Sequence, residues 1–258
     1  MPTPPLPARP DRRRLLGYAG AVAVASALAP AARADAPPVK AIAFDGFVIF
    51  DPRPIAALAE ELFPGKGGEL MALWRTRQFE YTWLRTLTVR YADFWTVTQD
   101  ALRFAAAATR LDLTPERRDR LMQGFLAMKA HPDVLEGLEA LRAKGIRLAF
   151  LSNLTEAMMA AATRSAGLEG FFEMNLSTDR VKAYKPDPRA YQMGPDALGL
   201  RREEIVFAAF GGWDAAGAKS FGYRTFWCNR LRTPVEELGA APDATGDTVA
   251  DLVRFVAG

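Results

Sequence analysis

Four segments of this sequence close an apolar run with a residue able to do chemistry. Lys40-Ala-Ile-Ala-Phe44 runs into Asp45, Arg147 to Leu151 runs into Ser152 and Asn153, Lys185 lies in the segment after Ser177, and Asp214 stands just beyond the run closing at Ala209. Two carboxylates, one lysine and a hydroxyl–amide pair are equipment for polar chemistry on a small ligand. Short apolar runs bounded in this way suit buried parallel strands. In open parallel sheets a ligand binds in the crevice beyond the carboxyl ends of the strands, which is where all of these residues fall. Taken singly, each has a plainer reading. Asp214, Ser152 and Asn153 could cap the helices that follow them, and Lys185 could be a solvated loop charge. Their joint placement at four strand ends is what favours a site.

The elements between these points are an alternation. After His131-Pro132 the pattern predicts helix 133–144, strand 147–151, helix 155–166, strand 173–177, helix 188–198, strand 205–209, helix 213–221 and strand 224–229. Such alternation marks right-handed crossover units and a parallel sheet covered on both faces. Between Pro54 and Met128 the periodicity is helical throughout, predicting helices 55–63, 68–87, 92–109 and 115–128, the last opened by Thr114 as cap with Pro115 at the first helical position. The expectation is an α/β, Rossmann-like core (residues 37–53 and 130–258) interrupted by an all-helical cap (54–129). A loop and a short closing helix follow Leu231.

The first thirty-six residues read as a leader outside this fold. Arg12-Arg13-Arg14 precedes an uncharged Ala- and Gly-rich stretch from Leu15 to Ala32 that ends near Ala32-Arg33-Ala34, which resembles a twin-arginine export signal with cleavage after Ala34 or Ala36. A retained anchor is the alternative reading. The expected location is the periplasm, without stable membrane association after processing. The formal charge of +3 owes much to Arg9 and Arg12 to Arg14, and no basic stripe with interleaved aromatics argues for a nucleic-acid partner. Cys228 is the one cysteine, so there is no intramolecular disulfide and no cysteine zinc cluster. A small buried strand residue is its expected role.

Five stretches together resemble one family. Ala72 to Arg85 (ALWRTRQFEYTWLR), Arg90 to Phe94 (RYADF), Leu151-Ser-Asn153, Tyr184 to Tyr191 (YKPDPRAY) and Trp213 to Ala218 (WDAAGA) closely resemble the L-2-haloacid dehalogenases of the haloacid dehalogenase superfamily, over about residues 40–229. The resemblance implies that Asp45 attacks the halogen-bearing carbon of a small (S)-2-haloacid. An ester and free halide form, and water then hydrolyses the ester to a 2-hydroxy acid of inverted configuration. Lys185 would keep the nucleophile ionised by lowering its pKa. Arg75, from the cap, would meet the departing halide together with Asn153 and Trp213. Ser152 and backbone N–H groups after Asp45 would hold the substrate carboxylate, and Phe47, Phe79, Phe94 and Trp213 would wall out water. For these aromatics, ordinary packing between cap and core is the competing role. Asp214 would act with Lys185 on the hydrolytic water, and Tyr191 matches a supporting tyrosine. The family resemblance implies a homodimer through the cap helices, and the reading assigns neither metal nor cofactor.

Three positions depart from the family pattern. Asp45-Gly-Phe-Val-Ile49 puts isoleucine where a threonine is usual, and Ala209-Phe-Gly-Gly-Trp-Asp214 puts Ala209 and Gly211 where a serine and an asparagine are usual. The missing groups would orient the nucleophile and the hydrolytic water, so ester hydrolysis is the step exposed to doubt. Two other readings stay open at this point: a magnesium phosphatase of the same superfamily, although Phe47 stands where its second aspartate belongs, and a non-catalytic protein that only binds a carboxylate. His131, before Pro132, is expected as a hinge or surface histidine.

Overall fold

The computed structural model describes residues 37–257. The chain opens with β1 (Ala41–Phe44), one turn of helix α1 (Gly46–Ile49) and β2 (Phe50–Asp51), then leaves the core for α2 (Arg53–Leu62), α3 (Gly67–Leu87), α4 (Phe94–Ala108) and α5 (Pro115–Gly124). It returns through β3 (Lys129–Ala130) and continues as α6 (Val134–Ala143), β4 (Arg147–Ser152), α7 (Glu156–Ala166), β5 (Met174–Ser177), α8 (Pro188–Leu198), β6 (Ile205–Ala209), α9 (Gly212–Phe221), β7 (Arg224–Cys228), β8 (Ala244–Gly246) and α10 (Val249–Ala257). The sheet has six strands in the order β5-β4-β1-β6-β7-β8, every pair parallel.

Alternation along β1 explains the layering. Ile42 and Phe44 belong to one buried cluster and Ala41 and Ala43 to another, because successive side chains of a strand point to opposite faces. The first cluster fills the face beneath α6, α7 and α10 and runs on into the cap, and the second packs beneath α8 and α9. With both faces covered, β1 carries no exposed residue, and its chain end is fixed where Asp45 donates its backbone N–H to Ala208 O at 2.9 Å.

The cap is built on α3 and α4. Trp74, wholly buried, donates its indole N–H to Thr98 O at 2.8 Å, and Gln78 donates to Thr98 Oγ1 at 2.6 Å. Asp93 caps α4 by accepting from Thr96 N–H, and Thr114 caps α5 ahead of Pro115. The predicted helix 115–128 stops at Gly124, because residues after Phe125 turn into the antiparallel ribbon β2/β3, in which Phe50 faces Ala130 and Asp51 faces Lys129. The sequence pattern assigns no element to that ribbon and takes the segment holding the sixth strand, β8, as loop. At two and three residues they are too short to show an alternating pattern.

Arg230 closes the structure around the turn after Asp45. Its guanidinium donates to Val48 O at 2.9 Å and pairs with Asp133 at 2.8 Å, with only 10% of the side chain exposed. His131 is buried at the same junction, not on the surface, with Nε2 3.3 Å from Phe47 O. Burial pulls its pKa down and the Arg230 charge adds to this, against the opposing pull of Asp51. Replacing Arg230 by Met leaves Asp133 without its counter-charge and Val48 O without its donor. The expected loss is about 3 kcal/mol, seen as a lower urea midpoint with an unchanged slope.

Candidate active site

The carboxyl ends of β1, β4 and β6 and the segment after β5 bring their polar residues to one point. Lys185, with no exposed surface, donates from Nζ to Asp45 Oδ2 and to Asp214 Oδ2, both at 2.7 Å, and lies 3.4 Å from Leu151 O. Both carboxylates are buried, at 7% and 1% exposure. Two anions and one cation in a low-dielectric crevice set one another's charge. Burial alone would pull the Lys185 pKa down, yet Asp214 and Asp45 overcome it and hold it above its usual value. Burial pushes Asp214 up to about 6, with Lys185 opposing and the charge of Asp45 adding to the rise.

The supporting contacts fix each member. Asp45 ends β1 and caps the single turn α1, its Oδ1 accepting the Phe47 N–H at 2.9 Å. Tyr191 donates to Asp214 Oδ1 at 2.7 Å and is itself held where Tyr223 donates to Tyr191 O at 2.6 Å. Asn153 Oδ1 accepts the Lys185 backbone N–H at 3.2 Å, while its buried Nδ2 has no hydrogen-bond partner among the described residues. Thr155 caps α7, and Gly211 occupies the cap position of α9. Capping therefore does not explain Ser152, Asn153 or Asp214.

Asp45, Asn153 and Asp214 open onto a pocket of about 20 Å³ walled by Phe47, Phe79, Trp213 and Phe210, with Arg75 reaching in from α3. Arg75 has no acidic partner among the described residues. Its guanidinium lies 5.9 Å from the Phe210 ring centre, and burial lowers its pKa. An unpaired cation and an unpartnered amide N–H thus face an anionic pair across a very small space. Four shared residues, Phe47, Arg75, Phe79 and Phe210, join this pocket to an apolar chamber of about 280 Å³ between cap and core.

Two expected contacts fall elsewhere. Ser152 does not line the pocket, because its Oγ accepts the N–H groups of Gly46 at 3.4 Å and Leu154 at 3.2 Å, pinning the turn after Asp45. Phe94, the first residue of the cap helix α4, is wholly buried with its ring 6.2 Å from that of Tyr184, so it packs rather than lines. Tyr191 reaches the pocket only through Asp214. Phe210 was missed. It follows strand β6 immediately, and an aromatic at that strand end was the signal available. Cys228 is buried in β7, its thiol pushed up to about 12 by burial.

The departures have local explanations. A Cβ at Gly211 would lie 2.8 Å from Trp213 Nε1, so the indole occupies the space a side chain at 211 would need. Trp213 is held there by the rings of Phe79 and Trp83, with centroids 5.3 and 5.4 Å away. Ile49 is wholly buried in the apolar cluster. Phe47, two residues after Asp45, presents a ring to the pocket where a phosphatase would present a carboxylate.

Sheet order, inserted cap and a buried Asp–Lys–Asp triad at the strand ends are the features of a hydrolase. The chain belongs to the family of haloacid dehalogenase-like hydrolases, whose model matches residues 29–222. It is 42% identical to the (S)-2-haloacid dehalogenase of Pseudomonas sp. (strain YL) over 206 residues, 80% of this chain and 89% of that one. The crystal structure of the L-2-haloacid dehalogenase RSc1362 superposes with a TM-score of 0.85 at 42% identity, covering 86% of this chain and all of the other. That of L-2-haloacid dehalogenase from Xanthobacter autotrophicus with chloropropionic acid covalently bound gives 0.80 at 30% identity, covering 85% and 99%.

The contact between Tyr191 and Asp214 yields a prediction independent of any substrate. The phenol donates to the ionised carboxylate and so favours the anion. Carbon-13 NMR of labelled aspartate should show the Asp214 midpoint near pH 6 in the native protein and at higher pH in Tyr191→Phe. A midpoint that stays put or falls would mean that the hydrogen bond does not stabilise the anion.

Proposed function

We propose that this protein hydrolyses small (S)-2-haloacids to 2-hydroxy acids through an ester on Asp45. The observation that carries the reading is the small pocket, in which a buried carboxylate held by Lys185 at 2.7 Å faces the unpaired Arg75 and the free amide of Asn153. A carboxylate oxygen of Asp45 attacks C2 from the side opposite the halogen. The new C–O bond forms as the carbon–halogen bond breaks, and the halide leaves with the bonding pair. Arg75 and Asn153 stabilise that charge as it develops in a site walled by four aromatic rings. Lys185 remains bonded to both carboxylates, which holds Asp45 in position for attack.

Water then adds to the Cγ carbon of the Asp45 ester. Asp214, whose raised pKa makes it a usable base near neutrality, takes the proton. The C2–O bond stays intact and the acyl bond breaks as Asp214 returns its proton to the departing alkoxide oxygen, giving a hydroxy acid of inverted configuration; the second proton of the water passes to solvent, which restores Asp45 as the carboxylate. Positions 209 and 211 lend no polar side chain to this water, so ester hydrolysis is the slower half of the cycle. Because Asp214 must be ionised, turnover falls as pH drops through about 6.

We propose in addition that the chain is exported to the periplasm, a reading supported by Arg12 to Arg14 ahead of the Ala-rich stretch. The leader itself lies outside the described residues.

Protein beginning at Pro37, given each enantiomer of 2-chloropropionate, should release chloride over many turnovers from the (S)-acid without added metal, and none in Asp45→Asn. A pre-steady-state burst of chloride ahead of the slower steady rate is expected. Release limited to one equivalent would overturn the hydrolase reading, and no release would overturn the reading of Asp45 as nucleophile for these acids.

A further inference from the structure

The pocket that holds the reacting groups, at about 20 Å³, has room for little more than the atoms undergoing reaction. Beyond it lies the much larger chamber of about 280 Å³, walled by Ile55 and Ala56 of α2, Met71, Ala72 and Trp74 of α3, and Phe125. These walls carry almost no polar side chain. Of its polar members, Arg53 and Gln78 already have partners of their own in Asp51 and Thr98, and Arg75 stands where the chamber meets the reacting pocket. The two spaces meet at Phe47, Phe79 and Phe210, three rings that also flank Arg75. A ligand whose C2 faces Asp45 and whose halogen faces Arg75 and Asn153 has an apolar direction in which to extend, toward the chamber.

We infer that the chamber is a subsite for the alkyl tail of the substrate, and that 2-haloacids of about six carbons suit this protein better than three-carbon ones. The inference rests on the dehalogenase reading. Its physical basis is simple: each methylene moved from water into an apolar wall strengthens binding by roughly fourfold, and a preformed cavity costs nothing to open. The small side chains of Ala56 and Ala72 leave the far wall unfilled. Both are exposed at the rim on the cap helices, so a larger residue there obstructs the chamber without disturbing the core.

The test compares (S)-2-bromopropionate with (S)-2-bromohexanoate in the native protein and in Ala72→Trp. The expected result is a kcat/KM at least about tenfold higher for the six-carbon acid. In Ala72→Trp that advantage should vanish, with 2-bromopropionate changed by less than about twofold. A six-carbon acid no better than the three-carbon one, or an advantage untouched by Ala72→Trp, would overturn the subsite. Calorimetry with hexanoate and propionate, which carry no halogen, separates the two readings. Hexanoate binding tighter than propionate, and losing that margin in Ala72→Trp, with no bromide released from either bromoacid, would uphold the chamber and sink dehalogenation. Equal binding of the two acids together with bromide release from 2-bromopropionate would do the reverse.

Discussion

Everything at this site depends on one ammonium group buried between two carboxylates. Removing three charges from water is costly, and the cost is recovered only if the geometry is tight and the remaining lone pairs are occupied. The fold meets both conditions. The contacts of Lys185 with Asp45 and Asp214 are 2.7 Å long, Leu151 O takes a third position, Tyr191 holds the far oxygen of Asp214, and the Phe47 N–H holds that of Asp45. The triad still carries one more negative charge than positive. Burial, with the charge of Asp45 adding to it, raises the pKa of Asp214, and the net negative charge makes the unpaired Arg75 across the pocket complementary to the whole group.

The rest of the molecule serves to keep this arrangement dry and fixed. Strands β4, β1 and β6 lie side by side, so residues far apart in sequence emerge within hydrogen-bonding distance. Ser152, although it does not line the pocket, stabilises the turn from which Asp45 projects. His131 and Arg230 hold the carbonyls of Phe47 and Val48 on the same turn. The backbone after Asp45 is therefore secured from the sheet, from the base of the cap and from the C-terminal segment at once.

How much of this was legible in the sequence follows from the length and chemistry of each feature. The runs ending at Phe44, Leu151 and Ala209 were readable as strands because they are apolar, short and sharply bounded, and the polar residues that follow each run were readable as a site because a parallel sheet places such ends together. The ribbon β2/β3 and strand β8 were not, since two or three residues hold no period. Phe94 and Ser152 were given substrate contacts by analogy of position. The structure shows packing to have claimed the first and backbone hydrogen bonding the second. Phe210 illustrates the opposite failure, for a side chain next to the polar groups of a strand end looks like core until the pocket wall is drawn. The chamber could not have been foreseen at all, because a cavity is defined by side chains that are absent, and no single residue announces it.

The pairing of Gly211 with Trp213 has a consequence for how this sequence can change. With the indole nitrogen 2.8 Å from where a Cβ at 211 would stand, a polar side chain cannot be restored there by one substitution while the Phe79, Trp83 and Trp213 rings keep their present packing. The two positions are epistatic, and the order of steps matters: the aromatic cluster has to loosen before an asparagine at 211 becomes tolerable, yet loosening it first exposes the pocket to water. The indole and any side chain at 211 compete for one volume, so the two positions can change only in concert.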